Sequence, residues 1–577
     1  MKKALLLLPA FLVGFISFSS AQNPNNVAGG QIHGNFEIDA QYYNPDSLIG
    51  APAVPEKALM NGFGNLNYTN GNFAAGVRYE SYLNVLQGYP AGYKGTGIPY
   101  RYATYNNNGL EVTVGSSYDQ FGSGLIYRAY EDRGLGYDNA LDGMSVHYHP
   151  YKGIYLKGMW GKQRNFFTTG AGIVRGFDGE INLNELFDSC MAKTKTQFII
   201  GGSFVSKYQV DDDPFLVLPQ NVGAWAGRIN IIGEHTRHDL LKNREDKTRH
   251  DHLNNYNIYG EFAYKINDPQ TGNNYIYKPG NAAYVSATYS RKGLGVSFAA
   301  NRIDNFGFRS DRNATGNSLM INYIPALTKQ HTYVLTAFYP YASQPNGQIS
   351  WQGEVAYKVE KGTALGGKNG MDVTVNYSTA MGLDTTRLND EAGRNLGYKS
   401  KIFPGDSLFF QDINVEVFKK FSSNLKATFV YANMRYNKDV IEGHTGYPII
   451  NSHIVVADII WKMKHKVGFG KNKTNLTLRT DAEHLYTKDD KGSWASLLEE
   501  LTIGGHWFVA AMDEWNYGNS IADQRIHYYN AQVGFLEGTN RIVIGYGKQR
   551  AGIFCVGGVC RFVPASNGFT LTITSSF

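Results

Sequence analysis

Along residues 348–358 the odd positions carry Ile349, Trp351, Gly353, Val355 and Tyr357, and the even ones carry Gln348, Ser350, Gln352, Glu354, Ala356 and Lys358. One side of this segment is apolar and the other is polar. The same alternation sets Met371, Val373, Val375 and Tyr377 against Asp372, Thr374, Asn376 and Ser378, and Ile413, Val415 and Val417 against Asn414 and Glu416. Tyr256, Ile258, Gly260, Phe262 and Tyr264 repeat it. Period two over eight to eleven residues predicts strands, and about ten residues is the length at which a tilted strand crosses a bilayer. Tight breaks at residues 70–72, 106–109, 150–153 and 291–293 separate such runs, most of them rich in Gly, Asn or Pro. Residues 44–56, 208–219 and 437–448 form longer polar connections. Only residues 239–247 and 496–500 are predicted as short helical pieces.

Short turns alternating with long loops is the asymmetry of transmembrane antiparallel β-barrels. The C-terminus agrees. Phe569, Leu571, Ile573 and Phe577 alternate with Thr570, Thr572, Thr574 and Ser576, a final amphipathic strand that resembles the signal by which outer-membrane barrels are recognised for insertion. A soluble solenoid should show a fixed repeat period, and none is convincing. In lipid every backbone N–H and C=O needs a partner within the protein, and strands achieve this only in a closed barrel. At about 22–28 residues per strand with its connection, the chain predicts an all-β barrel of about 20–26 strands, with room for inward-folded loops.

Composition then fits. A mean hydropathy of −0.34 is too polar for a helical membrane protein, yet barrel strands need only half their positions apolar. Aromatics at 14% suit the two membrane interfaces. The net charge of +6 is small for 577 residues and spread out, which argues against a nucleic-acid partner. Met1-Lys2-Lys3, the apolar run from Ala4 to Phe18 broken by Pro9 and Gly14, and Ser19-Ser20-Ala21 before Gln22 read as a signal peptide over residues 1–21. Residues 22–577 are then the barrel, in the outer membrane of a Gram-negative bacterium.

The runs Tyr289-Ser290-Arg291-Lys292-Gly293-Leu294-Gly295, Arg302-Ile303-Asp304-Asn305 and Phe308-Arg309-Ser310-Asp311-Arg312, with residues 323–333 and Tyr339-Pro340-Tyr341, resemble an uncharacterised family of Bacteroidota outer-membrane barrels. The likeness covers most of the mature chain and implies architecture and location without supplying a catalytic residue. Residues 115–147, through Tyr118-Asp119-Gln120-Phe121-Gly122 and Asp142-Gly143, are similar over a short stretch to porins for polysaccharide export, where a comparable segment carries an inward loop.

Arg128, Glu131, Asp132, Arg133 and Asp138 crowd the connection between two strand-like segments. Folded inward they would line a pore constriction and select solutes by charge; left outside they form an ordinary solvated loop, the favoured expectation. His235, His238, His250 and His252 have the spacing of a zinc site, but Arg237, Lys242, Arg244, Lys247 and Arg249 surround them and oppose a cation. A solvated loop or one facing lipopolysaccharide phosphates is expected there. Asp211, Asp212 and Asp213 lack the wider ligand spacing of a calcium loop. A Gly557-Gly558 turn sets Cys555 opposite Cys560 and predicts a disulfide on an exposed hairpin, leaving Cys190 unpaired. Trp494, Trp507, Trp515 and Tyr517 suit a sugar-stacking surface or, more commonly, an interfacial girdle.

Motif signatures of enzymes are missing, and neither catalysis nor a cofactor is expected. Two functions are carried forward: a porin-like channel for solute passage or polymer export, and a structural or accessory barrel of an outer-membrane assembly or secretion complex. Outer-membrane lipids, lipopolysaccharide, the barrel-assembly machinery and other outer-membrane proteins are the expected partners.

Overall fold

The computed structural model describes residues 29–191, 194–238, 251–391, 394–463, 474–557 and 559–577. The leader expected at residues 1–21 and the helical piece expected at 239–247 both lie outside them. In chain order come β1 (Gln31–Tyr43), β2 (Ala58–Asn70), β3 (Phe73–Tyr82), β4 (Gly95–Asn107), β5 (Leu110–Ser117), β6 (Glu131–Asp132) and β7 (Tyr137–Asp138). Next are β8 (Leu141–Tyr151), β9 (Ile154–Asn165), β10 (Thr168–Asn182), β11 (Thr196–Tyr208), β12 (Asn221–His238), β13 (Asp251–Lys265), β14 (Gly280–Arg291) and β15 (Leu294–Asp304). After a long connection follow β16 (Gly347–Val359), β17 (Met371–Arg387), β18 (Tyr398–Lys420), β19 (Leu425–Tyr436), β20 (Ile450–Lys462), β21 (Leu476–Tyr486) and β22 (Trp494–Ile503). The chain ends with β23 (Trp507–Trp515), β24 (His527–Glu537), β25 (Asn540–Gln549), β26 (Gly552–Val556), β27 (Val559–Val563) and β28 (Ser566–Ser576).

Twenty-four of these strands form one sheet, while β6 with β7 and β26 with β27 are separate two-stranded hairpins. Each barrel strand runs antiparallel to the next, and β1 pairs with β28 from Asn35 opposite Ser576 to Tyr43 opposite Gly568. The sheet therefore closes on itself and has no free edge, which satisfies the backbone in lipid.

The two ends differ. Residues 71–72, 108–109, 152–153, 292–293 and 538–539 are tight turns at the end that carries both chain termini. The opposite end bears the long connections, including 44–57, 118–140, 209–220, 266–279, 305–346, 437–449 and 550–565. Exceptions include the tight 166–167 turn at the long-loop end and, at the other, residues 360–370 and residues 183–195, the latter holding two short helical turns. Short turns face the periplasm in barrels of this kind, so the long connections form an extracellular crown.

The expected alternation separates the two faces of the wall. On β16 Val355 and Tyr357 are exposed outside and Gln348 and Ser350 are buried inside. On β17 and β18, Val375, Tyr377 and Ile413 point out, whereas Asn376, Ser378 and Asn414 are buried in the lumen. Phe569 likewise faces out on β28. Residues 496–500 correct one expectation, since they lie in β22 and are not helical. Leu497 is outside and Ser496 inside; the Leu-Leu and Glu-Glu pairs blur the period because this lumen accepts an apolar Leu498 and this outer wall accepts Glu499.

Candidate functional site

A barrel of this strand number encloses a wide lumen unless something fills it. Three crown connections, 118–140, 305–346 and 550–565, fold into it. Phe121, Leu125, Ile126 and Tyr127 of the first and Phe306, Phe308, Ile321 and Ile324 of the second are buried in one cluster against Met159, Val174, Val205, Val222, Ala224, Ala263, Ala282 and Ile303 of the inner wall. Burying each such large side chain contributes about 1.5–3 kcal/mol. At Gly172 the carbonyl of Ser310 occupies the space a Cβ would need, so only glycine lets the inward chain lie this close to β10.

The first segment is tethered by buried charge. Arg78 on β3 pairs with Glu80 at 2.7 Å, with Glu131 at 2.8 Å and with Asp138. Arg164 on β9 reaches Glu80 and Asp138, each at 2.5 Å. Tyr118 donates to Asp138 at 2.9 Å. Arg133 bridges Glu131 at 2.9 Å and Glu37 of β1 at 3.0 Å, and the Asp132 carboxylate accepts from the Leu135 N–H at 2.9 Å. Arg128 lies between the rings of Tyr130 and Tyr323, 4.3 and 4.1 Å from their centroids. The loop is therefore inward, against the favoured expectation of a solvated exterior, because the wall supplies partners for its charges.

The second segment crosses to the opposite wall. Lys329 lies 3.5 Å from Glu354 and 3.7 Å from Glu416, and His331 bonds Asp412 at 2.8 Å. The N–H groups of Val334 and Leu335 donate to Glu483 at 3.0 and 2.8 Å, and Tyr339 donates to Asp490 at 3.3 Å. Leu335, Tyr339 and Tyr341 are buried with Phe410, Met434, Tyr436, Ile454 and Trp494.

The third segment locks the second. β26 and β27 are joined by the Cys555–Cys560 disulfide, with Cα atoms 4.1 Å apart. Asn317 donates to the Cys560 carbonyl at 2.6 Å, Tyr323 to that of Gly557 at 2.7 Å and Gln330 to that of Cys555 at 3.2 Å. The hairpin is thus docked on the inward chain, where an exposed position was expected, because the 305–346 segment offers donors to its carbonyls. Opening the disulfide in the paired Cys555→Ser, Cys560→Ser variant is expected to cost about 2 kcal/mol of hairpin stability, read as faster amide exchange at residues 552–563 with the barrel ladder unchanged.

Three carboxylates outside the strands tie these segments to the wall, Asp119 and Asp490 directly and Asp268 through Lys265, and are themselves held ionised. Burial raises Asp119, but a hydrogen bond from His147 and the nearby Lys157 bring it below its ordinary value. Asp268 is likewise raised by burial and lowered further by Lys207 and Lys265, and Lys265 also donates to the carbonyl of Gly307. Asp490 is lowered by Lys438 against the effect of burial.

Other sequence candidates fall elsewhere. His250 lies outside the described residues; His235 and His238 on β12 and His252 on β13 sit at the end opposite the crown. The carboxylates of Asp211 and Asp213 accept from N–H groups of their own turn, Leu218 to Asp211 at 2.9 Å and Phe215 to Asp213 at 2.8 Å. Cys190 is free and exposed. Trp494 is buried against Phe338 of the inward chain, whereas Trp507 and Trp515 face outward as a girdle does. Sequence reasoning missed the 305–346 plug. Its signal was a long stretch without alternation, rich in Phe, Tyr, Pro and Asn, between two strands that alternate cleanly.

A closed transmembrane barrel with an apolar outer wall and loops folded into its mouth defines a porin-like outer-membrane β-barrel. The chain belongs to DUF6029, a family of unknown function whose match spans residues 1–577. No curated protein matches the sequence. Among solved structures it is similar to the siderophore receptor PirA from Pseudomonas aeruginosa, at 9% identity and TM-score 0.36, covering 95% of this chain and 80% of that one. OccD3 (OpdP) from the same species is 10% identical at TM-score 0.36, covering 86% and 92%. A BenF-like porin from Pseudomonas fluorescens is 12% identical at TM-score 0.34, covering 82% and 97%.

Proposed function

We propose that this chain is an outer-membrane transport channel held closed by its own crown. The observation that carries the reading is the interlock of residues 118–140, 305–346 and 550–565 inside the lumen, fastened to the wall by ion pairs and hydrogen bonds that are no part of the strand ladder. On release, Arg128, Glu131, Asp132, Arg133 and Asp138 would line the mouth and select solutes by charge. The reading assigns passage of polar solutes and no catalysis. It includes export by a cleaved leader and insertion by the barrel-assembly machinery through the strand bearing Phe569, Leu571, Ile573 and Phe577, into a membrane of lipids and lipopolysaccharide.

Acid should open the channel. Asp119, Asp268 and Asp490 have folded values below the ordinary carboxylate, so their stabilisation is complete above about pH 4 and is lost as pH falls through the folded values. In planar bilayers, brief step openings at neutral pH are expected to lengthen below about pH 4. Silence at every voltage and pH would remove the channel reading.

A further inference from the structure

β23 gauges depth in the bilayer. Trp507 and Trp515 face outward at its two ends, 49% and 41% exposed. Eight residues at about 3.3 Å each, on a strand tilted by about 35–45°, span roughly 20 Å of height, close to the roughly 25 Å apolar band of such barrels. The two rings therefore mark the two interfaces, and Ala511, midway between them, lies near the centre of the membrane.

The residue opposite Ala511 on β22 is Glu499. Leu497 exposed outside and Ser496 buried inside fix the alternation of this strand, so Glu499 is on the lipid-facing side. Both its carboxylate oxygens share the single hydroxyl of Thr480 on β21, at 3.0 and 2.9 Å. Nearer the crown, Asp513 also faces out, half-exposed and bonded to His527 at 2.7 Å, and His484 bonds Tyr517 at 2.6 Å. Polar groups thus climb this sector from mid-depth to the rim, where other sectors show Phe262, Val285, Val375 and Phe429 to lipid. The outward ion pair of Arg101 with Asp142, on β4 and β8, closes on itself at 3.2 Å. Among the described residues Glu499 has only a neutral hydroxyl as partner. An ionisable group at this depth is costly in hydrocarbon and ordinarily pairs with another group. The neighbouring Ala482, Ala511 and Ala531 leave room for a second backbone to approach.

We infer that the outer wall of β21 to β24 docks a partner protein within the membrane, one that brings a lysine or arginine to mid-depth against Glu499. Two carboxylates facing outward give the sector the charge such a partner complements. This inference is independent of whether the lumen conducts.

A photo-crosslinking amino acid at Leu497 tests it in native outer membranes of the producing cell, with the same probe at Val285 as control. One adduct of fixed added mass is expected at 497 and none at 285. The adduct should be lost in Glu499→Gln and Glu499→Leu backgrounds, while both variants keep the heat-dependent gel shift of a folded barrel. Equal adducts at 497 and 285, or an adduct that survives Glu499→Leu, would overturn the inference. So would an adduct of twice the chain mass formed by the purified protein alone in vesicles, which would assign the face to a second copy.

Discussion

Replacing residues 309–341 with a short glycine-serine linker is expected to raise the resting conductance in planar bilayers by about tenfold or more, because among the described residues no other segment of that size spans the lumen between the two walls. The barrel should survive the change. Its twenty-four strands bond to one another around a closed circuit, and the crossing chain adds side-chain and capping contacts to that circuit. Removing it exposes Met159, Val174, Val205 and Leu485, which are buried with the inward segments, so a lowered melting temperature with an intact gel shift should accompany the open state. Unchanged conductance in a folded variant would mean that this segment does not gate the lumen.

Arg164→Ala is expected to free the first inward segment. It leaves Glu80 and Asp138 buried with half their cationic partners removed, and breaking a buried pair on one side costs about 3–5 kcal/mol. If that cost falls on docking, the docked-to-undocked ratio drops by roughly two to nearly four orders of magnitude. Amide exchange at Ala129 and Asn139 should accelerate accordingly, while β8 and β9 stay protected. Substituting Arg78, Glu80, Arg164 and Asp138 together by apolar residues of similar volume should restore much of the protection, since no charge is then left unpaired. If the single variant kept native exchange rates, the ion-pair network would not be what holds the loop.

Barrel class, the sidedness of the turns and the Cys555–Cys560 bridge were all legible, because each depends on short-range pattern: alternation for strands, Gly and Asn for tight turns, and a Gly-Gly turn midway between the two cysteines for the disulfide. The plug was not. Whether Arg133 meets Glu37 or water depends on which strands the barrel brings together, and those residues are far apart in the chain. Phe308 and Leu335 carry no periodicity, since an irregular chain buries whichever side chains face the wall. The Glu499 sector was hidden by its own composition: Leu-Leu-Glu-Glu resembles a helix turn until neighbouring strands fix which side of the wall each residue occupies.

The seam between β1 and β28 imposes an order on assembly. It joins the two extremes of the chain, so the circuit is completed only when the last strand has been delivered. The disulfide hairpin lies between β25 and β28, immediately before that final strand, and its docking surface on residues 317–330 lies across the lumen interior. In a barrel still open along the seam the hairpin is anchored to the wall through β25 alone, and only the pairing of β28 with both β25 and β1 holds it from its two ends, so closing the seam also tightens the door it has framed.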